Sequence, residues 1–265
     1  RHYLDGSQLD SVMNYPFADA IINFVRYGTA EAFNQTILSI TENYPKPVID
    51  VLMNHIGTHD TQRAVTALAG ESCVYRDRQW QSGRVLSAEK KAEGIRLLKE
   101  AAIIQFTLPG VPCIYYGDEA GLEGYKDPFN RRTYPWGREN TDLIDYYRDL
   151  IGIHKYSYTL RYGSFMFLPC RHNLVCYGRF TKEDQYIVIV NNGERDEEVD
   201  IPVWEIEVPK HAILKMKMTC FEAGYSTMPK YYRTHGGRIK LTIKGNSGLL
   251  LKHGEGYEER YADKV

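Results

Sequence analysis

The sequence lacks the features that would send it to a membrane, a nucleic acid or an oxidising compartment. No apolar run approaches the roughly 20 residues that a bilayer-spanning helix needs. Residues 1–17 are polar and aromatic rather than basic and then apolar, so no signal peptide is visible and a cytoplasmic location is expected. With 33 Lys and Arg against 34 Asp and Glu, the net charge of −1 provides no field to recruit nucleic acid or anionic lipid. Five cysteines (Cys73, Cys113, Cys170, Cys176 and Cys220) are an odd number without a CxxC pair or a His/Cys cluster. That pattern excludes a zinc ribbon and a disulfide scaffold, and predicts reduced, mostly buried thiols. There is no internal repeat and no low-complexity tract, and no metal or cofactor site is expected from these residues.

Aromatic residues, in contrast, are abundant. Twenty-one tyrosines and three tryptophans supply flat apolar surfaces with polar edges, the kind of platform on which sugars stack. The same residues also fill β-sheet cores, so the count alone decides nothing. At 265 residues, the chain is long enough for one large domain or two smaller ones, each with a real core.

Periodicity divides the chain in two. Residues 9–13 read as a short buried strand, residues 17–42 as helix interrupted at Gly28, and Val48–Met53 as a second apolar strand behind Pro45 and Pro47. Ser87 is a candidate N-cap for a helix whose Ile95, Leu98 and Ala102 share one face. Leu108-Pro109-Gly110 stops it, Val111–Tyr116 reads as a third strand, and a last helix is expected near 141–155. This strand–helix alternation signals parallel βα units, three of them, where a closed barrel needs eight. After about residue 160 the texture becomes that of antiparallel strands, at 164–168, 174–180, 186–190, 197–203, 240–243 and 248–252. Asn191-Asn192-Gly193 and His235-Gly236-Gly237 mark turns between them. The expected architecture is therefore α/β plus all-β, with residues 1–160 as barrel-type units and 161–265 as an antiparallel β-sandwich that folds on its own core. The charged tail from Gly254 is expected to be loosely held.

In a parallel βα barrel the active site lies at the C-terminal strand ends. All three strands end in polar clusters here: Asn14-Tyr15, the run Asn54 to Asp60, and Asp118-Glu119. An apolar strand opening into His59-Asp60 places a titratable pair at the rim of the core. From the residues alone, Asp60 serves equally well as a helix N-cap before Thr61. His59 could be a satisfied core histidine, Asp127 with Arg131 a loop-ordering ion pair, and Tyr15 and Trp136 packing residues. Arg63, Asp118 and Glu119 read as structural.

Four ordered motifs resolve some of this ambiguity. Leu9-Asp-Ser-Val-Met-Asn-Tyr-Pro-Phe17 resembles the sixth barrel strand of the neopullulanase, cyclomaltodextrinase and maltogenic amylase group of the α-amylase superfamily. Asn54-His55-Ile56-Gly57-Thr58-His59-Asp60-Thr61-Gln62-Arg63 resembles its seventh-strand motif, and Pro109 through Gly121 its eighth strand and following loop. Asp127-Pro128-Phe129-Asn130-Arg131-Arg132, with Pro135-Trp136, is similar to the loop that closes over the donor end of the sugar site.

The resemblance implies the last three βα units of a (β/α)8 barrel and a retaining α-glucan hydrolase acting on maltodextrins, cyclodextrins or pullulan. It makes Asp60 the carboxylate that stabilises the transition state and His59 a ligand of sugar hydroxyls. Asp127 and Arg131 then narrow the non-reducing end, and Tyr15 and Trp136 are sugar contacts. Its nucleophile and general acid stand on the fourth and fifth strands, whose motifs are absent from Arg1 to Gln8. The chain is therefore expected to begin just after the fifth strand, to be inactive alone, and to self-associate through open barrel edges. No cofactor is expected in this chain, and whether an intact parent binds calcium is not readable from these residues. The competing expectation is a non-catalytic binding or scaffold protein on the same fold.

Overall fold

The structure, a computed structural model, describes residues 2–4, 7–170 and 173–254. The expectation for the charged tail falls on residues 255–265, outside those described.

Helix α1 (Tyr15–Tyr27) starts where the Asn14 side chain accepts the Phe17 N–H and Pro16 occupies the first turn. It ends at Gly28, whose φ of 66° suits a residue without a Cβ. Helix α2 (Ala30–Thr41) follows at once, so Gly28 does divide the expected helical stretch. Phe17, Ile21, Phe24 and Val25 of α1 and Phe33 and Ile37 of α2 are buried.

The stretch Val48–Met53, expected as a strand, folds otherwise. Pro45 precedes and Pro47 opens a helical turn, α3 (Lys46–Ile49), because proline's fixed φ suits a first turn that needs no N–H. Only β1 (Met53–Asn54) is extended. Next come α4 (Ala64–Ala69), α5 (Arg78–Ser82) and α6 (Ala88–Thr107), the last capped by Ser87 as its sequence predicts. Strand β2 (Val111–Pro112) then runs parallel to β1, pairing Met53 with Val111 and Asn54 with Pro112. Met13 adds a single parallel bridge to Met53. The expected strands 9–13 and 111–116 are thus a bridge and a two-residue ladder. Pro112 has no N–H to give, and the Cys113 carbonyl accepts instead from the Gln105 side chain at 2.9 Å. The same Gln105 Nε2 donates to the Asn54 carbonyl at 3.0 Å. Helices α7 (Thr141–Lys155) and α8 (Tyr158–Tyr162) complete the helical part.

The remaining chain is one antiparallel sheet, not the expected pair of packed sheets. Its strands are β3 (Ser164–Phe167), β4 (Leu174–Phe180), β5 (Gln185–Asn191), β6 (Glu197–Ile201), β7 (Ile213–Phe221), β8 (Gly224–Ser226), β9 (Tyr231–His235), β10 (Arg238–Ile243) and β11 (Ser247–His253). They run in the order β3-β4-β5-β11-β7-β9-β10-β6, with β8 also on β7. Long β7 pairs with β9 at its first residues and with β8 at its last, and a bulge at Leu250/Leu251 interrupts its ladder with β11. Bulges increase twist, and the sheet curls until its inner face closes on itself. The inner core holds Ile187, Ile189, Val199, Ile201, Leu214, Met216, Ile239 and Leu251.

The outer face is not free either. Val175, Tyr177, Val188, Val190, Met218, Cys220 and Leu250 join Phe17, Leu98, Ile104, Leu143 and Leu150 of the helices in one core. Strands β4, β5 and β11 are accordingly buried along most of their length, which explains why they read as continuous apolar runs. The sheet therefore has an inner core of its own, as expected, and in addition shares its outer face with the helices. Ile213–Phe221 escaped the sequence reading although it alternates cleanly, with Leu214, Met216, Met218 and Cys220 buried and Lys215 and Lys217 between them.

Candidate functional site

The site grows out of the end of β1. Asn54, His55, Ile56, Gly57 and Thr58 are all buried, and the chain surfaces only at His59 and Asp60. Below them a polar network fixes the strand end. Asn54 donates to the Pro109 carbonyl at 2.8 Å and accepts from the Asn14 side chain at 2.9 Å, so the termini of all three extended segments are tied through one amide. Gly57 allows a close approach, since a Cβ there would lie 2.1 Å from Asp118 Oδ2.

Asp60 caps no helix. Its own N–H donates to Thr58 Oγ1 at 3.1 Å, the Thr58 N–H donates to Thr61 Oγ1 at 2.9 Å, and α4 begins only at Ala64. This tight turn presents the Asp60 carboxylate outward. His59 Nε2 lies 3.3 Å from Asp60 Oδ2, and Arg131 Nη2 lies 4.0 Å from Asp60 Oδ1. The same guanidinium binds Asp127 through Nε to Oδ1 at 2.6 Å. The four side chains are 47 to 60% exposed, so they form a connected charged surface rather than a buried ion cluster.

Asn130 holds the two loops in register. Its amide donates to the carbonyls of His59 at 2.8 Å and Thr61 at 2.7 Å, which pins the 127–132 loop to the 58–61 turn. No feature of the sequence singled it out, because an Asn between Phe129 and Arg131 looks like any loop residue.

Beneath the turn lies a second, buried arginine. Arg63 is fully buried, with Nε donating to the Asn130 carbonyl at 2.6 Å and Nη1 to the Tyr116 carbonyl. Its guanidinium carbon sits 4.1 and 4.4 Å from the ring centroids of Tyr115 and Tyr116, a pair of cation–π contacts. Asp118 pairs with it at 3.5 Å. Burial pushes the Asp118 carboxyl up to about 7, with Arg63 pulling the other way. His55, edge-on to Tyr15 at 4.7 Å, is pushed down to about 4 by burial, and neither ring nitrogen has a hydrogen-bond partner among the described residues.

Of the six side chains the sequence pointed to, the structure brings four together: Asp60, His59, Asp127 and Arg131. Tyr15 is half-buried against His55. Trp136 stacks on Tyr134 at 4.5 Å and is 80% exposed. Among the described residues, no three His, Cys, Asp or Glu side chains form a group that could hold a metal ion, and no helix is long and apolar enough to cross a membrane.

Comparison with known proteins gives the same direction. A family model described as "Alpha amylase, catalytic domain" matches residues 1–207. An amylopullulanase of Thermoanaerobacter thermohydrosulfuricus is 35% identical over 93% of this chain, which spans 17% of that protein. A cyclomaltodextrinase of Thermoanaerobacter pseudethanolicus is also 35% identical, over 81% of this chain and 34% of its own length. Among solved structures, the Nostoc punctiforme debranching enzyme superposes with a TM-score of 0.72 at 25% identity, covering 95% of this chain and 49% of that one. The chain thus spans between about a seventh and a half of these and similar proteins.

Proposed function

The chain belongs to the alpha-amylase catalytic-domain family of glycoside hydrolases, and from that premise we propose that it supplies the last three βα units of a (β/α)8 barrel, residues 1–160, with a trailing sheet domain, residues 161–265. The parent activity on this reading is retaining hydrolysis of an α-glucan of the maltodextrin, cyclodextrin or pullulan type. The observation that carries it is the Asp127–Arg131–Asp60–His59 chain of contacts at the open end of β1.

Each member has a task in that reading. Asp60 offers a negative charge to the sugar ring as it gains oxocarbenium character, an interaction stronger in the transition state than in the ground state. Arg131 holds it in place without enclosing it. His59, turned toward the same carboxylate, presents ring nitrogens to sugar hydroxyls. The Asp127–Arg131 pair walls the non-reducing end, and the exposed Trp136 ring is a further apolar surface that a longer glucan can reach. A scaffold protein would have no use for such a half-exposed, precharged surface.

Retaining chemistry needs a nucleophile and a general acid about 5–5.5 Å apart. Asp60 and Asp127 share one guanidinium and suit neither role, so these 265 residues alone bind glucan without cleaving it. The exposed Leu9, Val12 and Val111 beside the short parallel ladder add a tendency to self-associate there.

Isothermal titration of the 265-residue polypeptide with maltotriose tests both parts. Millimolar binding that disappears in Asp60→Asn, with no reducing sugar released from maltodextrin, is expected. Absence of heat at saturating ligand, or turnover that Asp60→Asn abolishes, would overturn the corresponding half.

A further inference from the structure

Two asparagines next to strands of the sheet, Asn173 before β4 and Asn192 after β5, plug the turn between α1 and α2. Asn173 Nδ2 donates to the Gly28 carbonyl while its Oδ1 accepts the Ala30 N–H at 2.7 Å. Asn192 Nδ2 donates to the Phe24 carbonyl at 2.7 Å, the same oxygen that accepts the helix-ending Gly28 N–H at 2.8 Å. The fit leaves no slack, since a Cβ at Gly28 would lie 2.3 Å from Asn192 Nδ2. Asn192 Oδ1 is buried without a hydrogen-bond partner among the described residues.

The two plugs differ in their C-terminal neighbours. Leu174 comes after Asn173, and Gly193 after Asn192. The main-chain nitrogen after an asparagine can attack the side-chain amide carbon, and a glycine there leaves the approach unhindered and the backbone free to reach it. In the closed loop the Gly193 N–H is engaged with Asn191 Oδ1 at 3.0 Å, and its carbonyl accepts the Asn246 N–H at 2.7 Å. Attack therefore waits for the 192–196 loop to open locally.

We infer that Asn192–Gly193 is a deamidation site that releases the sheet from the α1–α2 turn in one direction only. The Gly193 nitrogen bonds to Asn192 Cγ and gives up its proton, the Cγ–Nδ2 bond breaks, and ammonia leaves. The resulting succinimide takes up water at one or other carbonyl, yielding Asp or isoAsp. Neither product can donate to the Phe24 carbonyl. Each instead brings a carboxylate to the C-terminal end of α1, the negative end of its dipole, where the Phe24 carbonyl that Nδ2 served is itself an acceptor. A loop that opens and reacts cannot return to its dock. The inference is independent of the sugar-site reading.

Asn173 serves as the internal control. The purified chain, held at mildly alkaline pH and 37 °C, is digested at intervals and the mass gain of about one unit at each asparagine is followed. Asn192 is expected to convert at least tenfold faster than Asn173, and Gly193→Ala to slow it at least tenfold. In the aged wild-type protein and in Asn192→Asp, amide exchange at Gly28 and Ala30 should accelerate at least tenfold. Reading both forms keeps the test valid if the substituted chain does not fold. Equal rates at Asn192 and Asn173, or unchanged exchange at Gly28 and Ala30 in converted protein, would overturn the inference.

Discussion

Arg63 and Arg131 hold neighbouring parts of one rim, and they do so by opposite means. Arg63 is sealed off, bonded to two carbonyls, set against the Tyr115 and Tyr116 rings and paired with a buried carboxylate. Arg131 is half exposed and divides its charge between Asp127 and Asp60. Asn130 stands between them, giving its carbonyl to Arg63 and its amide to the turn that carries Asp60. The difference separates scaffold from working surface. Buried charge is costly and stays only where every neighbour is fixed around it, whereas exposed charge contributes little to folding and is free to meet a ligand.

The largest test of that division is Arg63→Met. Removing one partner of a buried pair leaves Asp118 enclosed and alone, so a loss of about 3–5 kcal/mol is expected in urea unfolding. The loss should be greater at pH 8 than at pH 6, because Asp118, shifted up to about 7, is able to take a proton at the lower value. A loss below about 1 kcal/mol would place Arg63 with Arg131 as an adjustable charge.

Glu100 of α6 sharpens the same comparison from the other side of the molecule. It is buried and bonded to Arg96 at 2.7 Å, yet burial outweighs that pull and drives its carboxyl from 4.5 to about 8. Because the folded form holds its proton more tightly than the unfolded form, this group's contribution is full below pH 4.5. It is lost as pH rises toward 8. Between pH 6 and 8 the wild-type chain is therefore expected to lose about 2–3 kcal/mol more than Glu100→Gln. Parallel pH profiles for the two proteins would show that the Arg96 contact, not burial, governs the group.

The smallest effect on folding is expected at the surface cluster. Asp60→Asn and Arg131→Ala should each unfold within about 0.5 kcal/mol of wild type. Glucan binding should nevertheless fall in both. Destabilisation beyond about 1 kcal/mol, with binding intact, would make the cluster a loop clasp.

How much of this was legible in the sequence depended on how local each cause is. Helices α1, α6 and α7 could be read because caps and 3.6-residue periodicity are written into adjacent residues. The parallel strands could not, because how far a ladder runs depends on a partner segment remote in the sequence, as Met53 meets Val111. Val48 and Ile49 were buried as expected, but the prolines around them chose a helical turn. The curl of the sheet rests on how β7 divides its edge between β8 and β9, a long-range choice without a local signature. At the site, the family motif singled out the four charged residues as a group. Asn130, which aligns them, had no such mark.

The clip made by Gln105 has a further consequence. One side chain reaching up from α6 closes the ends of both strands, at 3.0 Å to the Asn54 carbonyl and 2.9 Å to that of Cys113. The strand ends thus have a tie from below that does not depend on the loops above. Exchanges at the exposed positions His59, Asp60, Asp127 and Trp136 can be tried with Asn130 and Gly124, whose carbonyls accept from Arg63, left in place. An engineer seeking a new ligand preference has the exposed tips of two loops to rewrite, and Gln105 and Asn130 to leave alone.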